Sequence, residues 1–132
     1  MLKPWQLAAL VLLGIALWAL VTWRMHAHPE YALDEARQIR GYLTAPVGGA
    51  ISVWLCKLVG RLRPDQLLPG VSVVGAVAMM ADGAALMWFP QDYAAEEKVM
   101  RIEAAGLLWG YGVAFAVAVA WTEFARRRLT MA

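Results

Sequence analysis

Four long apolar stretches, Trp5 to Trp23, Gly41 to Gly60, Leu67 to Phe89 and Ala104 to Phe124, alternate with two polar segments of similar texture and one short basic turn. An apolar run of about 20 residues is what a helix needs to cross the ~30 Å hydrocarbon layer of a bilayer, where backbone polar groups must be satisfied inside the helix. The pattern therefore predicts an all-α integral membrane four-helix bundle. It forms one transmembrane domain over residues 1–132, with the lipid bilayer as its first partner.

The polar segments carry their own periodicity. In the first, Tyr31, Ala32, Ala36, Ile39 and Leu43 fall at helical spacing, with Asp34, Glu35, Arg37 and Arg40 on the remaining faces, which predicts a short interfacial helix. In the second, Pro90 closes the third span and Asp92 is placed to cap a new helix. Glu96 and Glu97 then fall in its first turns, where the helix dipole favours negative charge. Val99, Met100 and Ile102 keep that helix partly apolar, so it can run on into the fourth span. Pro46, Gly48 and Gly49 lie early in the second span, where proline either sits in a first turn or kinks the helix.

Inside the spans the small residues form stripes. Thr44, Gly48, Ser52 and Cys56 recur every fourth residue in the second span, and Gly106, Gly110, Ala114, Ala118 and Thr122 do so in the fourth. In the third, Ser72, Gly75, Ala78, Asp82 and Ala85 follow at steps of three and four. Lipid gives little hydrophobic drive for helices to associate, so small residues that let backbones approach are the expected packing faces. Gly48, Gly75, Gly106, Gly110 and Ala114 are the positions expected at close helix contacts. Self-association is a competing use of one stripe.

Composition agrees with this picture, at 61% hydrophobic residues and seven Trp. Trp5, Trp23 and Trp88 fall near span ends as interfacial anchors, and the deeper tryptophans read as packing. The net charge of +2 and the scatter of the basic residues give no face for a nucleic-acid backbone, so no nucleic-acid partner is expected. The first span is longer than a signal-peptide core and has no small-x-small site after it, so it reads as a retained span. The lone cysteine, Cys56, lies within the second span and reads as a small packing residue.

Charge sets the orientation. The ends of the chain and the central turn hold Lys3, Lys57, Arg61, Arg63, Arg126, Arg127 and Arg128 against two acids, Asp65 and Glu123. The other two loops hold five basic residues against seven acids. Basic loops stay cytoplasmic, so both termini are expected there.

One carboxylate lies in the middle of a span. Asp82 sits on a small-residue stripe, roughly 10 Å inside the boundary at Phe89 at about 1.5 Å per residue. At that depth the fourth span offers Tyr111 and the second offers Gly48, Gly49 and Ser52. With Ser72 on its own stripe, Asp82, Tyr111 and Ser52 make the candidate intramembrane polar site. No basic residue is placed to neutralise Asp82, so a protonated acid hydrogen-bonded to Tyr111 or to a backbone carbonyl is expected. His26 and His28, near Glu30, Asp34 and Glu35, are the only candidates for a metal, and their place at a membrane exit explains them without one. No histidine lies within a span to hold haem, no cofactor is expected, and no Ser-His-Asp or carboxylate pair marks an enzyme.

The end of the first span, Gly14-Ile-Ala-Leu-Trp-Ala-Leu-Val-Thr-Trp-Arg24, the Met79-Met80-Ala81-Asp82-Gly83 stretch running to Phe89-Pro90, and Leu107-Leu108-Trp109-Gly110-Tyr111-Gly112 together resemble an uncharacterised bacterial family of small four-span membrane proteins. The resemblance covers nearly the whole chain. It implies a multi-pass protein of the bacterial inner membrane and carries no assigned activity. Two classes of function are then expected. One is a non-enzymatic bundle that assembles with itself or serves as an accessory subunit of a larger membrane complex; the other is an oligomeric small transporter or proton-linked carrier using Asp82.

Overall fold

The protein is described here by a computed structural model covering residues 1–94 and 96–131. Four helices, α1 (Pro4–Ala27), α2 (Glu35–Gly60), α3 (Leu67–Trp88) and α4 (Glu97–Met131), make up the fold, with no strand among the described residues. All four are long and apolar enough to cross a membrane, as the hydropathy pattern required. At 35 residues, α4 is about 52 Å long, so it outreaches the ~30 Å hydrocarbon layer.

The connections are tighter than the polar segments implied. Each loop at one end holds a single 3-10 turn, Pro29–Leu33 or Pro90–Asp92, opened by its proline. The amphipathic residues that follow lead straight into α2 and α4 as their first turns, with no break before the spans. Asp34 caps α2 by accepting from the Arg37 backbone N–H at 3.1 Å. Asp92 lies in the 3-10 turn, five residues before α4 starts at Glu97, so it does not cap that helix.

Pro46 lies inside α2 and explains a contact across the bundle. Without an N–H, it leaves the Tyr42 carbonyl, one turn earlier, without its helical donor. The Trp109 indole N–H fills that vacancy at 3.2 Å, and the two rings meet at 5.5 Å. At the other end of α2, Arg61 takes a left-handed conformation at φ 44°, and the Leu62 N–H reaches back to the Lys57 carbonyl at 3.0 Å. This left-handed ending usually falls to glycine.

The closest pairs are α1 with α3 and α2 with α4. Gly14 makes the first crossing possible, since a Cβ there would stand 3.0 Å from the Val74 carbonyl oxygen. Gly49 does the same for the second, with the Ala114 backbone 3.3 Å away. Leu10, Val53, Cys56, Leu62, Leu67, Val71, Val74 and Ala118 pack into one core, which lies toward the end holding Met1 and the α2–α3 turn. We call this the termini end and the opposite one the loop end.

A second buried polar knot closes the termini end. Gln6 Nε2 donates to the Gly60 carbonyl at 2.8 Å and to Gln66 Oε1 at 3.5 Å, and Gln66 Nε2 donates to the Met1 carbonyl at 2.8 Å. Each amide oxygen also accepts a backbone N–H, from Lys3 or Arg63. The start of α1 is thereby tied to the α2–α3 turn.

Candidate functional site

Asp82 is 6% exposed, and its two oxygens are held from two directions. Tyr111 of α4 donates its hydroxyl to Oδ2, as the depth count anticipated. Tyr93 donates to Oδ1 from the loop just past the Pro90 turn. This partner was not foreseen. Tyr93 is fully buried, and its oxygen in turn accepts from the Trp18 indole at 3.2 Å and the Thr22 hydroxyl at 3.5 Å, both on α1. Burial, with the bond to Asp82 adding to it, pushes the Tyr93 phenol above its ordinary value, so it remains a neutral donor.

The network is asymmetric. The Trp18 indole can only donate, so the Tyr93 oxygen accepts there, and with the Thr22 hydroxyl also donating to it the Tyr93 proton goes to Asp82. Among the described residues Tyr111 bonds to Asp82 alone, and that bond can run either way. The Asp82 carboxyl group thus meets two neutral hydroxyls and, among the described residues, no basic partner. The expected bond from a protonated Asp82 to Tyr111 requires the Tyr111 hydroxyl to turn.

Beside this network lies a cavity of about 380 Å³ with walls from all four helices. It runs from Arg24 and Met25 at the loop end to Cys56 and Val71 against the core. Asp82, Tyr111 and Ser52 share its wall, so the structure brings together three of the four polar residues expected at the site. Ser72 does not join them. It faces outward and bonds to the Leu68 carbonyl of its own helix at 2.9 Å.

The cavity changes the meaning of the small stripes. Gly75 and Ala114 do stand at close contacts, Gly75 against the Phe115 ring and Ala114 against Gly49. Gly48, Gly106 and Gly110 do not, since a Cβ on any of them would meet nothing within 4 Å. They face the cavity, and their missing side chains leave it room. Periodicity marks a face as small without saying whether a neighbour closes on it. In α2 the close approach falls one residue later, at Gly49.

Further groups were not singled out from the sequence. Glu103 is buried, and its Oε2 has no hydrogen-bond partner among the described residues. It lies one helical turn before Gly106 and Leu107 of the cavity wall, on the same side of α4. Trp18 and Thr22, four residues apart, share one face of α1, a spacing visible in the chain but without meaning until Tyr93 is placed. His28 pairs with Glu30 at 3.2 Å and stacks on Tyr31, while no group of three metal-ligating side chains forms among the described residues.

The first loop offers a control. Tyr31-Ala32-Leu33-Asp34-Glu35 matches Tyr93-Ala94-Ala95-Glu96-Glu97 in residue pattern, and each follows a proline that opens a 3-10 turn. Eleven residues before Tyr93 stands Asp82, whereas eleven before Tyr31 stands Leu20. Tyr31 stays half-buried between His28 and the Arg37 guanidinium, which lies 4.1 Å from its ring centre. The acid accompanies the tyrosine that turns inward. Comparison with protein-family models, curated proteins and solved structures finds no match for this chain.

Proposed function

We propose that this chain is a small non-enzymatic carrier of the bacterial inner membrane, with both termini cytoplasmic, that holds a small molecule in the cavity beside Asp82. The observation that carries the reading is that Gly48, Gly106 and Gly110 border open volume next to the buried acid. At about 380 Å³ the cavity falls in the range of small-molecule sites, roughly 300–1,000 Å³. An intramembrane acid facing a protein interior is a functional position by default. A passive subunit of a larger assembly would leave the cavity without a use. Ser52 and Cys56 line the wall with no base beside them among the described residues, which supports binding over catalysis. The orientation rests on the seven basic residues of the termini side, and the bacterial setting on the resemblance described above.

The test is chemical access. In a Cys56→Ser background, Ser52→Cys should react with a small neutral maleimide in native membranes. Adding Gly110→Leu, which fills the cavity from an uncontacted position, should suppress the reaction while the protein still folds. An inert Ser52→Cys, or one unaffected by Gly110→Leu, would remove the site.

A further inference from the structure

We infer that the molecule this cavity takes is a lipophilic organic monocation, a small tertiary or quaternary amine, whose charged head replaces the Tyr111 hydroxyl at Asp82 Oδ2. The inference rests on the carrier reading and names its substrate class. Three features of the wall lead to it.

The first is charge. Among the described residues of the cavity wall Asp82 is the one acid, and Arg24, the one basic residue there, shares the loop end but makes no ion pair with it. A buried carboxylate is costly without a countercharge, and here two neutral phenols stand where a cation would otherwise be. An anion would face this acid, and a dication would find one carboxylate for two charges. The second is surface. Trp18, Tyr111 and Phe115 are among the residues lining the cavity, and glycine and aliphatic residues form most of the remainder. Aromatic faces with an apolar surround suit an organic ammonium better than a hydrated inorganic ion, since the ring quadrupole attracts a desolvated cation.

The third is the asymmetry of the network. Tyr93 is fully buried, with Trp18 and Thr22 against its hydroxyl, so Oδ1 is held from the closed side of the network. Tyr111 lines the cavity, is half-buried and has Asp82 as its single hydrogen-bond partner among the described residues, so Oδ2 can exchange one partner for another. Ligand entry then costs one hydrogen bond, and the Tyr93 anchor holds the carboxylate in position throughout. Tyr111 acts as the stand-in for the ligand in the empty site.

The experiment compares two probes of nearly the same shape, benzyltrimethylammonium and its uncharged isostere neopentylbenzene, by their protection of Ser52→Cys from the neutral maleimide. The cation should slow alkylation about tenfold or more at a concentration where the isostere has little effect. The isostere partitions better into lipid, so the bias of the assay runs against this result. Asp82→Asn should abolish the protection, and Tyr111→Phe, which frees Oδ2 and keeps the ring, should strengthen it. If Asp82→Asn fails to fold, the Tyr111→Phe result decides by itself. Equal protection by both probes, better protection by the isostere, no protection by either, or weaker protection in Tyr111→Phe would each overturn the inference. The carrier reading survives those outcomes as long as Ser52→Cys is alkylated and Gly110→Leu blocks it; a cysteine that never reacts would end both.

Discussion

Two buried polar knots hold this bundle, one at each end, and they differ in kind. At the termini end Gln6 and Gln66 each donate and accept, bonding to one another, to backbone carbonyls and to backbone N–H groups. Neither residue lines the cavity, and neither can change charge. At the loop end Asp82 only accepts when ionised, draws on neutral donors from a loop and from α4, and borders open volume. Burial alone does not separate the two, since Gln6 is 3% exposed, Gln66 6% and Asp82 6%. A closed set of amides serves as a latch. A carboxylate with one exchangeable partner beside a cavity is available for binding.

Breaking the loop-end knot should have the larger effect. Asp82→Leu would leave the Tyr93 hydroxyl buried with no acceptor and Tyr111 without a partner, and should cost about 2–3 kcal/mol of stability. Asp82→Asn, which can still accept from Tyr93 and donate to Tyr111, should cost less than about 1 kcal/mol. Thermal unfolding in detergent measures both, and equal losses would mean that shape rather than hydrogen bonding holds this end together. Cutting the latch comes next. Gln66→Leu removes the donor to the Met1 carbonyl and the acceptor for the Arg63 N–H, and should cost about 1–2 kcal/mol while leaving Ser52→Cys reactivity intact. A change in that reactivity would show that the two ends are coupled.

Smaller effects refine the contrast. Arg61 turns the chain beside the latch in a left-handed conformation that glycine adopts without steric cost. Arg61→Gly should therefore stabilise the protein by about 1 kcal/mol, read as a rise in the unfolding midpoint. Smallest is the cap at Asp34, which the Arg37 backbone N–H first, and then the Arg37 side chain, hold below its ordinary carboxylate value. A lowered folded value means that the cap contributes at neutral pH and is lost as pH falls through the carboxylate range. Hydrogen exchange at the Arg37 amide should accelerate there beyond its intrinsic pH dependence, with the bundle still folded.

What the chain disclosed in advance follows from which forces are local. Span length and hydropathy depend on consecutive residues, so the four helices were legible, and a rise of about 1.5 Å per residue was enough to bring Tyr111 to the level of Asp82. Tyr93 was hidden because its position depends on how the Pro90 turn folds back over α3, a tertiary choice that Tyr31, in nearly the same local sequence, does not make. Ser72 misled because its stripe neighbours point inward while its own side chain bonds along its helix. The stripes misled in part for a more general reason. Glycine at helical spacing permits close approach, and the same absence of side chain permits a cavity; Gly49 and Gly48, adjacent in the chain, do one each.

That pair supplies the most direct test of the account. Leucine at Gly49 must displace the Ala114 backbone at the α2–α4 crossing, whereas leucine at Gly48 or Gly110 enters space that nothing occupies within 4 Å. Unfolding midpoints of the three single variants in one detergent are the measurement. The account predicts a well-folded Gly48→Leu and Gly110→Leu, within about 1 kcal/mol of the parent, beside a Gly49→Leu that loses roughly 3 kcal/mol or fails to fold. Equal, severe losses at all three positions would show that the stripes are packed faces and that no cavity adjoins Asp82.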